Sequence, residues 1–459
     1  MSNAMLPWSQ IHFIGIAGAG MSAIAQVLAQ MGFAVSGCDA EPSGAIEKLS
    51  RHGIRVYKGH NLSHLRDAGI VVVSSAIKND NPELLEAHRR CIPVWHRARM
   101  LGWLMNGREA IAVAGSHGKS SVTAMLGAIL EAGGFDPTVI IGADLIASGT
   151  NARIGKSSWL VAEADESDGS FLMLKPKHII VTNIELDHAN HYPNLEALIE
   201  AFADFLRLAS EDGVVAMGID CPNTSALAIR LKRGFITFGK SREAEYTISD
   251  LQLIDGAASF LLLHRGNAVT QIKLSVLGEF QAYNALAASA VAHAVGVKPE
   301  AISYGLASFK GIKRRFELVG KMHGKDVLLI DDYAHHPSEV RAAIQSALSI
   351  CRKRCLVIFQ PHRYTRTLAL HEEFGPAFCG ASKVWVTEIY SAWEEPIEDV
   401  SGRLIYEAIR NALPQVDVSF VIDFDSLVEQ VEGEAEDGDV VLVLGAGDIC
   451  KVAHKLVGA

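Results

Sequence analysis

Hydrophobic positions along this chain follow two alternating rhythms. From Gln10, short β-branched runs (IHFIGIA, AVSGCD and IVVVSSAI) are separated by stretches of helical period, the first starting near Met21. This alternation predicts strands of a parallel sheet joined by helices. After a break at Asn106-Gly107 the pattern restarts: AIAVAG runs into GSHGKSS and then a helix with Val122, Met125, Leu126 and Ile129 on one face. WLVAEADE and HIIVTNIELDH continue that set, and the text between Glu243 and Leu274 turns strand-rich, as hairpins beside a parallel sheet do. Beyond SFKGIKRRFE a third alternation carries VLLIDDY, CLVIFQ, KVWVTEIY, VSFVIDF and VVLVLGAG, which puts its boundary near Gly311. The expectation is an α/β protein of three domains in series, 1–106, 107–310 and 311–459, with no repeat of fixed period.

Ligands of such sheets bind beyond the carboxyl ends of the strands, where the polar motifs of this chain fall. Gly15-Ile16-Ala17-Gly18-Ala19-Gly20 lies between a strand and a helix, and Asp39 follows the next strand in the place of a ribose-binding acid. Such a turn fits a nucleotide pyrophosphate, although Ala17 replaces the middle glycine of GxGxxG. Gly115-Ser116-His117-Gly118-Lys119-Ser120, with Ser121 behind it, reads as a phosphate cradle. Backbone N–H groups would hold the phosphates, Lys119 would neutralise the transferring phosphoryl group, and Ser120 would ligate magnesium. Val113 stands where GxxxxGK has its first glycine.

Glu163-Ala164-Asp165-Glu166-Ser167-Asp168 gathers four carboxylates that repel one another unless cations neutralise them, and magnesium is the natural counterion. Asp187-His188 ends the next strand and offers an imidazole to a second metal position. Further on, Asp331-Asp332-Tyr333-Ala334-His335-His336-Pro337 places acids and imidazoles between strand and helix. In Gln360-Pro361-His362-Arg363-Tyr364-Thr365-Arg366-Thr367 the guanidinium forks suit a carboxylate or phosphate.

Composition narrows the classes. A formal charge of −10 lacks the basic field that drives nucleic-acid binding, so anionic ligands must be held locally. No apolar run reaches the ~18 residues of a membrane helix. Seven cysteines without CxxC pairs point to reduced thiols, and no Cys/His spacing of the zinc type occurs, which disfavours catalytic zinc. Met1-Ser2-Asn3-Ala4 before Met5 reads as a vector-derived leader, with no secretory signal beside it.

In their order, GIAGAGMS, GSHGKSS, EADESDGSF, NIELDH, RRFE, DDYAHHP, FQPHRYTRT, EIYSAWEEPI and the terminal GAGD resemble the Mur ligases of peptidoglycan synthesis over nearly the whole chain. The resemblance implies an N-terminal Rossmann-like domain for a UDP-sugar, a central P-loop ATPase-like domain with a parallel sheet, and a C-terminal Rossmann-like domain that brings the amino acid. It implies a cytoplasmic ligase that uses ATP and Mg2+ to join L-alanine to the carboxylate of UDP-N-acetylmuramate through an acyl phosphate. The nearest alternative attaches a tripeptide to the same sugar nucleotide. A nicotinamide dehydrogenase built on the first glycine-rich turn leaves GSHGKSS unexplained.

By the same resemblance Lys119 and Ser120 serve phosphates and magnesium, Glu163 and His188 hold metal, Asn284 meets the adenine, Arg315 the phosphates and Asp332 the ATP ribose. Gly15, Gly18, Gly20, Asp39 and Ser75 face the UDP-sugar, while Tyr333, His335, His362, Arg363 and Arg366 surround the amino acid. The chain departs from the family with Ser120-Ser121 for two threonines, Phe280-Gln281 for His-Asn and Trp393 for a glycine.

Overall fold

The computed structural model describes residues 7–42, 44–187, 191–231 and 233–458. The expected leader Met1–Ala4 and the expected metal ligand His188 lie outside the described residues. The three α/β sheets anticipated from the hydrophobic rhythm are present, each rich in parallel pairs. By its internal contacts the chain divides into two compact units. One comprises Met1–Ile184, Glu196–Thr247 and Leu286–Gly305; the other comprises Glu185–Leu195, Ile248–Ala285 and Leu306–Ala459.

In the first unit β1 (Gln10–Ile14), β2 (Ala34–Asp39), β3 (Arg55–Lys58), β4 (Ile70–Val73) and β5 (Val94–His96) form an all-parallel sheet in the order β3-β2-β1-β4-β5. The direction of winding reverses between β1 and β4, which opens a crevice at their carboxyl ends. Gly15 follows β1 and Ser75 follows β4, so both stand at that crevice. Phe13, Ile14, Ile70, Val71 and Val72 are fully buried, as strands covered on both faces require.

The second sheet of this unit holds β6 (Glu109–Ala114), β7 (Thr138–Ile140), β8 (Ala152–Arg153), β9 (Trp159–Glu163), β10 (His178–Val181), β11 (Val215–Gly218) and β12 (Ile236–Phe238), in the order β12-β11-β10-β6-β9-β7-β8. Only the β7–β8 pair is antiparallel. The central strand β6 carries the phosphate-loop text, with Glu163 at the end of neighbouring β9 and Thr182-Asn183 just past β10. The helix Lys119–Ala132 buries the expected Val122, Met125, Leu126 and Ile129, and most of its other positions as well.

The strand-rich text past Glu243 becomes β13 (Tyr246–Ile254), β14 (Ala257–His264) and β15 (Asn267–Leu277), of which β14 and β15 form a long antiparallel hairpin in the second unit. That unit is built on β16 (Glu317–Lys321), β17 (Leu328–Asp332), β18 (Cys355–Phe359), β19 (Lys383–Val386), β20 (Asp417–Phe420) and β21 (Val440–Leu444), in the order β16-β17-β21-β18-β19-β20. All these pairs are parallel except β16–β17. One core on each face holds the sheet, Phe359, Phe374 and Phe378 on one side and Trp385 on the other.

Candidate active site

The glycine-rich turn after β1 is shaped from beneath. The Cys38 carbonyl accepts the Gly15 and Ile16 N–H groups at 2.8 and 3.0 Å. Asp39 accepts the Ala17 N–H at 3.0 Å and the Glu41 N–H at 3.3 Å. The acid expected to bind ribose thus has both oxygens on the backbone of the turn and its neighbour. Gly15 adopts φ +81°, a left-handed backbone that favours glycine, and a Cβ there would displace the tip of Ile77 as well. Gly18 is the N-cap of the helix Ala19–Gln30 and has no side chain to cover the first-turn N–H groups. Gly20 opens that helix beside the Arg97 guanidinium.

The phosphate loop is braced by residues that the motif did not reveal. Asn183 accepts the Ser116 N–H through its carbonyl at 3.1 Å and the His117 N–H through Oδ1 at 2.9 Å. Thr182 Oγ1 donates to the His117 carbonyl at 2.6 Å. A Cβ on Gly115 would lie 2.1 Å from that same Thr182 oxygen, and Gly115 has φ +129°. Gly118, at φ +85°, is the N-cap of the helix Lys119–Ala132, whose positive end faces the loop. Lys119 Nζ curls over the loop to the carbonyls of Gly115 (2.6 Å) and Ser116 (3.2 Å) and to Glu166 Oε1 (2.9 Å). Burial alone would lower the lysine pKa, but the carboxylates of Glu166, Asp165 and Glu163 outweigh it and hold the ammonium charged. Ser120 and Ser121 are buried in the first helical turn.

The four carboxylates expected to need external cations are largely satisfied by the protein itself. Asp165 meets Arg97 Nη2 at 2.6 Å and Glu166 meets Lys119. Asp168 accepts from Ser75 Oγ and the Ser170 N–H, with His96 Nε2 at 3.6 Å. Glu163 accepts the Gly142 N–H at 2.7 Å. Ser75, which also meets His96 Nε2 at 3.0 Å, therefore joins the first sheet to the second rather than standing alone. Asn151 joins them too, donating to the Ala19 carbonyl and to Ser22 Oγ while accepting from Gln26.

In the second unit Asp332 ends β17 buried, accepting the Phe316 N–H at 2.6 Å and the Ala334 N–H at 2.7 Å. Burial pushes its carboxyl up to about 7 against the pull of Arg315. Arg315 lies over the Tyr333 ring at 4.8 Å. Asn284 donates to Gln281 Oε1 at 2.9 Å, so the residue at the departure Phe280-Gln281 orients the expected adenine contact. His335 Nδ1 donates to the Tyr333 carbonyl at 2.8 Å, and its ring lies 5.7 Å from that of His362, which stacks in turn on Tyr390.

Burial holds both imidazoles neutral, His335 pushed down to about 4 and His362 to about 2. Arg366 is buried, with Nε and Nη2 on Asp187 and Nη1 on the His362 carbonyl at 3.2 Å. Arg363 is a third exposed, in a left-handed backbone of φ +72°, with Glu394 at 3.7 Å.

A glycine-capped phosphate loop with its lysine on the central strand of a parallel sheet, a nucleotide-type turn on the first sheet and, in the second unit, an arginine–histidine cluster are the parts of an ATP-dependent ligase of three α/β domains. Residues 10–109 match the Mur ligase family, catalytic domain; residues 113–292 the Mur ligase middle domain; and residues 314–447 the Mur ligase, glutamate ligase domain. The chain is 41% identical over 449 residues to the UDP-N-acetylmuramate--L-alanine ligase of Geobacter sp. (strain M21), covering 98% of this chain and 97% of that protein. Identity to the Brucella anthropi protein of the same name is 42%, over 97% and 96% of the two chains. The crystal structure of the UDP-N-acetylmuramate-alanine ligase of Thermotoga maritima superimposes with a TM-score of 0.83 at 28% identity and 98% coverage of both chains. The chain belongs to the Mur ligase family.

Proposed function

We propose that this enzyme joins L-alanine to the carboxylate of UDP-N-acetylmuramate at the expense of ATP, and that its domains are 1–106 for the sugar nucleotide, 107–310 for ATP and 311–459 for the amino acid. The braced phosphate loop with Lys119 carries the reading, and the full-length likeness to alanine ligases selects the substrates. A muramyl carboxylate oxygen attacks the γ-phosphorus of ATP, the P–O bond to ADP breaks, and an acyl phosphate results. The alanine nitrogen then attacks the acyl carbon, the C–O bond to phosphate breaks, and the amine proton leaves with inorganic phosphate or solvent.

Lys119 and the loop N–H groups meet the charge that moves during the first step. Hard oxygen donors at Ser120 and Glu163 fit a magnesium ion, with His188 a further ligand; bound there, magnesium would neutralise phosphate charge. We assign Asn284 to adenine, Arg315 to the phosphates and Asp332 to the ribose of ATP. Gly15, Gly18, Gly20, Asp39 and Ser75 belong to the sugar-nucleotide end, and Tyr333, His335, His362, Arg363 and Arg366 to the amino acid. Because every edge of the Arg366 fork is engaged inside its own unit, Arg363 is the more available group for the alanine carboxylate, and Arg366 orders Asp187 and His362 beside it.

No helix among the described residues is long and apolar enough to cross a membrane. We place the enzyme in the cytoplasm, where ATP is available. Incubation with ATP, magnesium, UDP-N-acetylmuramate and single amino acids, followed by product mass, tests the assignment. Phosphate release that needs all the components, with alanine added to the sugar nucleotide, is expected; product formed only with a tripeptide would overturn it.

A further inference from the structure

Away from the phosphate loop, the first sheet buries a cluster of donors that the ligase chemistry does not use. His12 on β1, Cys38 on β2 and Glu83 in the helix Pro82–Arg89 are all fully buried. Glu83 Oε2 lies 2.9 Å from His12 Nε2 and 3.2 Å from Cys38 Sγ. His60, in the loop after β3, brings Nδ1 to 3.2 Å from the same sulfur and 3.8 Å from Glu83 Oε1. One donor atom each from His12, Cys38 and Glu83 falls within 4.8 Å of the others. His64 Nδ1 and the Asn61 N–H, both 2.8 Å from Glu83 Oε1, hold the carboxylate from its other oxygen.

We propose that His12, Cys38, His60 and Glu83 form a binding site for a thiophilic divalent cation of the zinc class. Two nitrogens, a sulfur and a carboxylate oxygen are a zinc-type donor set, and bonds of about 2.0–2.3 Å in a tetrahedron require donors roughly 3.3–3.8 Å apart. The contacts about Glu83 Oε2 and Cys38 Sγ, at 2.9 to 3.2 Å, lie within about half an ångström of that spacing, whereas His60, which stands outside the group formed by the other three donors and 3.8 Å from the other Glu83 oxygen, must turn inward to complete the tetrahedron. Ser36 Oγ lies 2.9 Å from His12 Nδ1 and can accept its proton, which leaves Nε2 as the ligating lone pair. On coordination the Cys38 thiol gives its proton to solvent.

The approach is past His60, whose side chain keeps 23% of its surface exposed. Local motifs give no hint of the site, because its ligands come from four separate elements rather than from a short Cys/His spacing. Its position has a consequence for the neighbouring turn: the same Cys38 whose sulfur joins the cluster anchors Gly15 and Ile16 through its carbonyl.

The test uses the full-length enzyme, stripped with chelator and then titrated with cobalt(II) and with zinc in excess magnesium. One equivalent of zinc retained per chain and a near-UV thiolate-to-cobalt absorption with intense tetrahedral visible bands are expected. That absorption should vanish in Cys38→Ser, affinity should fall in His60→Gln, and Ser36→Ala should weaken zinc binding about 10- to 100-fold. The partly exposed setting of His60 makes its variant the safeguard should Cys38→Ser fail to fold. Absence of thiolate–cobalt absorption in the wild type, or zinc retention equal in wild type and His60→Gln, would overturn the site and leave a purely hydrogen-bonded network.

Discussion

Arg366 clasps Asp187 with Nε on Oδ1 at 3.0 Å and Nη2 on Oδ1 and Oδ2 at 2.8 and 3.0 Å, and both side chains are buried. A pair of this kind contributes little beyond an apolar replacement, but removing one partner strands the other charge, at a cost of about 3–5 kcal/mol. Arg366→Ala is therefore expected to lower the urea midpoint of the second unit, and Arg366→Lys to lower it less, because charge survives while the planar fork is lost.

The same geometry separates two roles for the arginines. Arg363→Ala should raise the KM for L-alanine by roughly tenfold or more, the loss of a charge-assisted bond of about 1.5–3 kcal/mol, with ATP binding unchanged. Initial rates against alanine concentration at saturating ATP and UDP-sugar decide it. An alanine dependence that shifts only in Arg366→Ala would assign the carboxylate contact to Arg366 instead.

Lys119→Ala should abolish phosphoryl transfer, with kcat down by about 10²–10³ or more, while the fold persists. The lysine is the ion-pair partner of buried Glu166, yet burial draws that carboxyl upward, so once the ammonium is gone Glu166 can take a proton instead of remaining a stranded charge. Circular dichroism and single-turnover rates measured on one preparation test both halves. Near-normal single-turnover chemistry at saturating ATP would remove Lys119 from the reaction.

Much of this architecture was readable because its signals are local. A strand, a glycine turn and a helix lie together within Ile111–Ile129, so the phosphate loop and the apolar positions of its helix could be found by reading along the chain. The four-carboxylate run was equally visible, but its neutralisation was not: Arg97 lies 68 residues before Asp165, and Lys119 47 residues before Glu166. Asp187 and Arg366 are 179 residues apart. Such partners are set by which strand ends meet in a sheet, and spacing alone does not encode that. The bracing of His117 by Thr182 and Asn183 is of the same kind, although polar residues directly after the β10 strand were its available signal.

The two buried imidazoles set an acid limit. His335 is pushed down to about 4, chiefly by burial, whereas an unfolded histidine titrates near 6.5. Between those values the unfolded chain binds more protons, so the contribution of His335 to stability is complete above pH about 6.5 and is lost as pH falls through about 4. Asp332, raised to about 7, acts in the opposite sense and loses its contribution as pH rises through that value. The difference between wild type and His335→Asn isolates the contribution of His335, since an asparagine amide can still donate to the Tyr333 carbonyl. The variant should decline less steeply on acidification over that window in urea titrations. Parallel curves would exclude His335 as a source of the acid limb.

Trp393 supplies a prediction of opposite sign, a substitution that stabilises. Its backbone lies in the left-handed region at φ +69°, beside Ala392 at +48°, and its side chain is 83% exposed. A bulky residue held there costs about 1–2 kcal/mol, and exposure on this scale means that little apolar burial offsets it. Glycine removes the Cβ conflict but returns about 0.5–1 kcal/mol through the entropy of the unfolded chain. Trp393→Gly should therefore gain up to about 1 kcal/mol. Trp393→Ala is the control, because it deletes the indole while keeping the Cβ and should gain nothing from relief of backbone strain. The adjacent Glu394 accepts from the Thr365 N–H at 3.1 Å and from Thr365 Oγ1 at 2.8 Å, so the loop stays anchored and the alanine KM should hold in both variants. Urea unfolding of the three proteins side by side provides the measurement. Equal stabilities for the glycine and alanine variants would show that the left-handed backbone at Trp393 carries no strain.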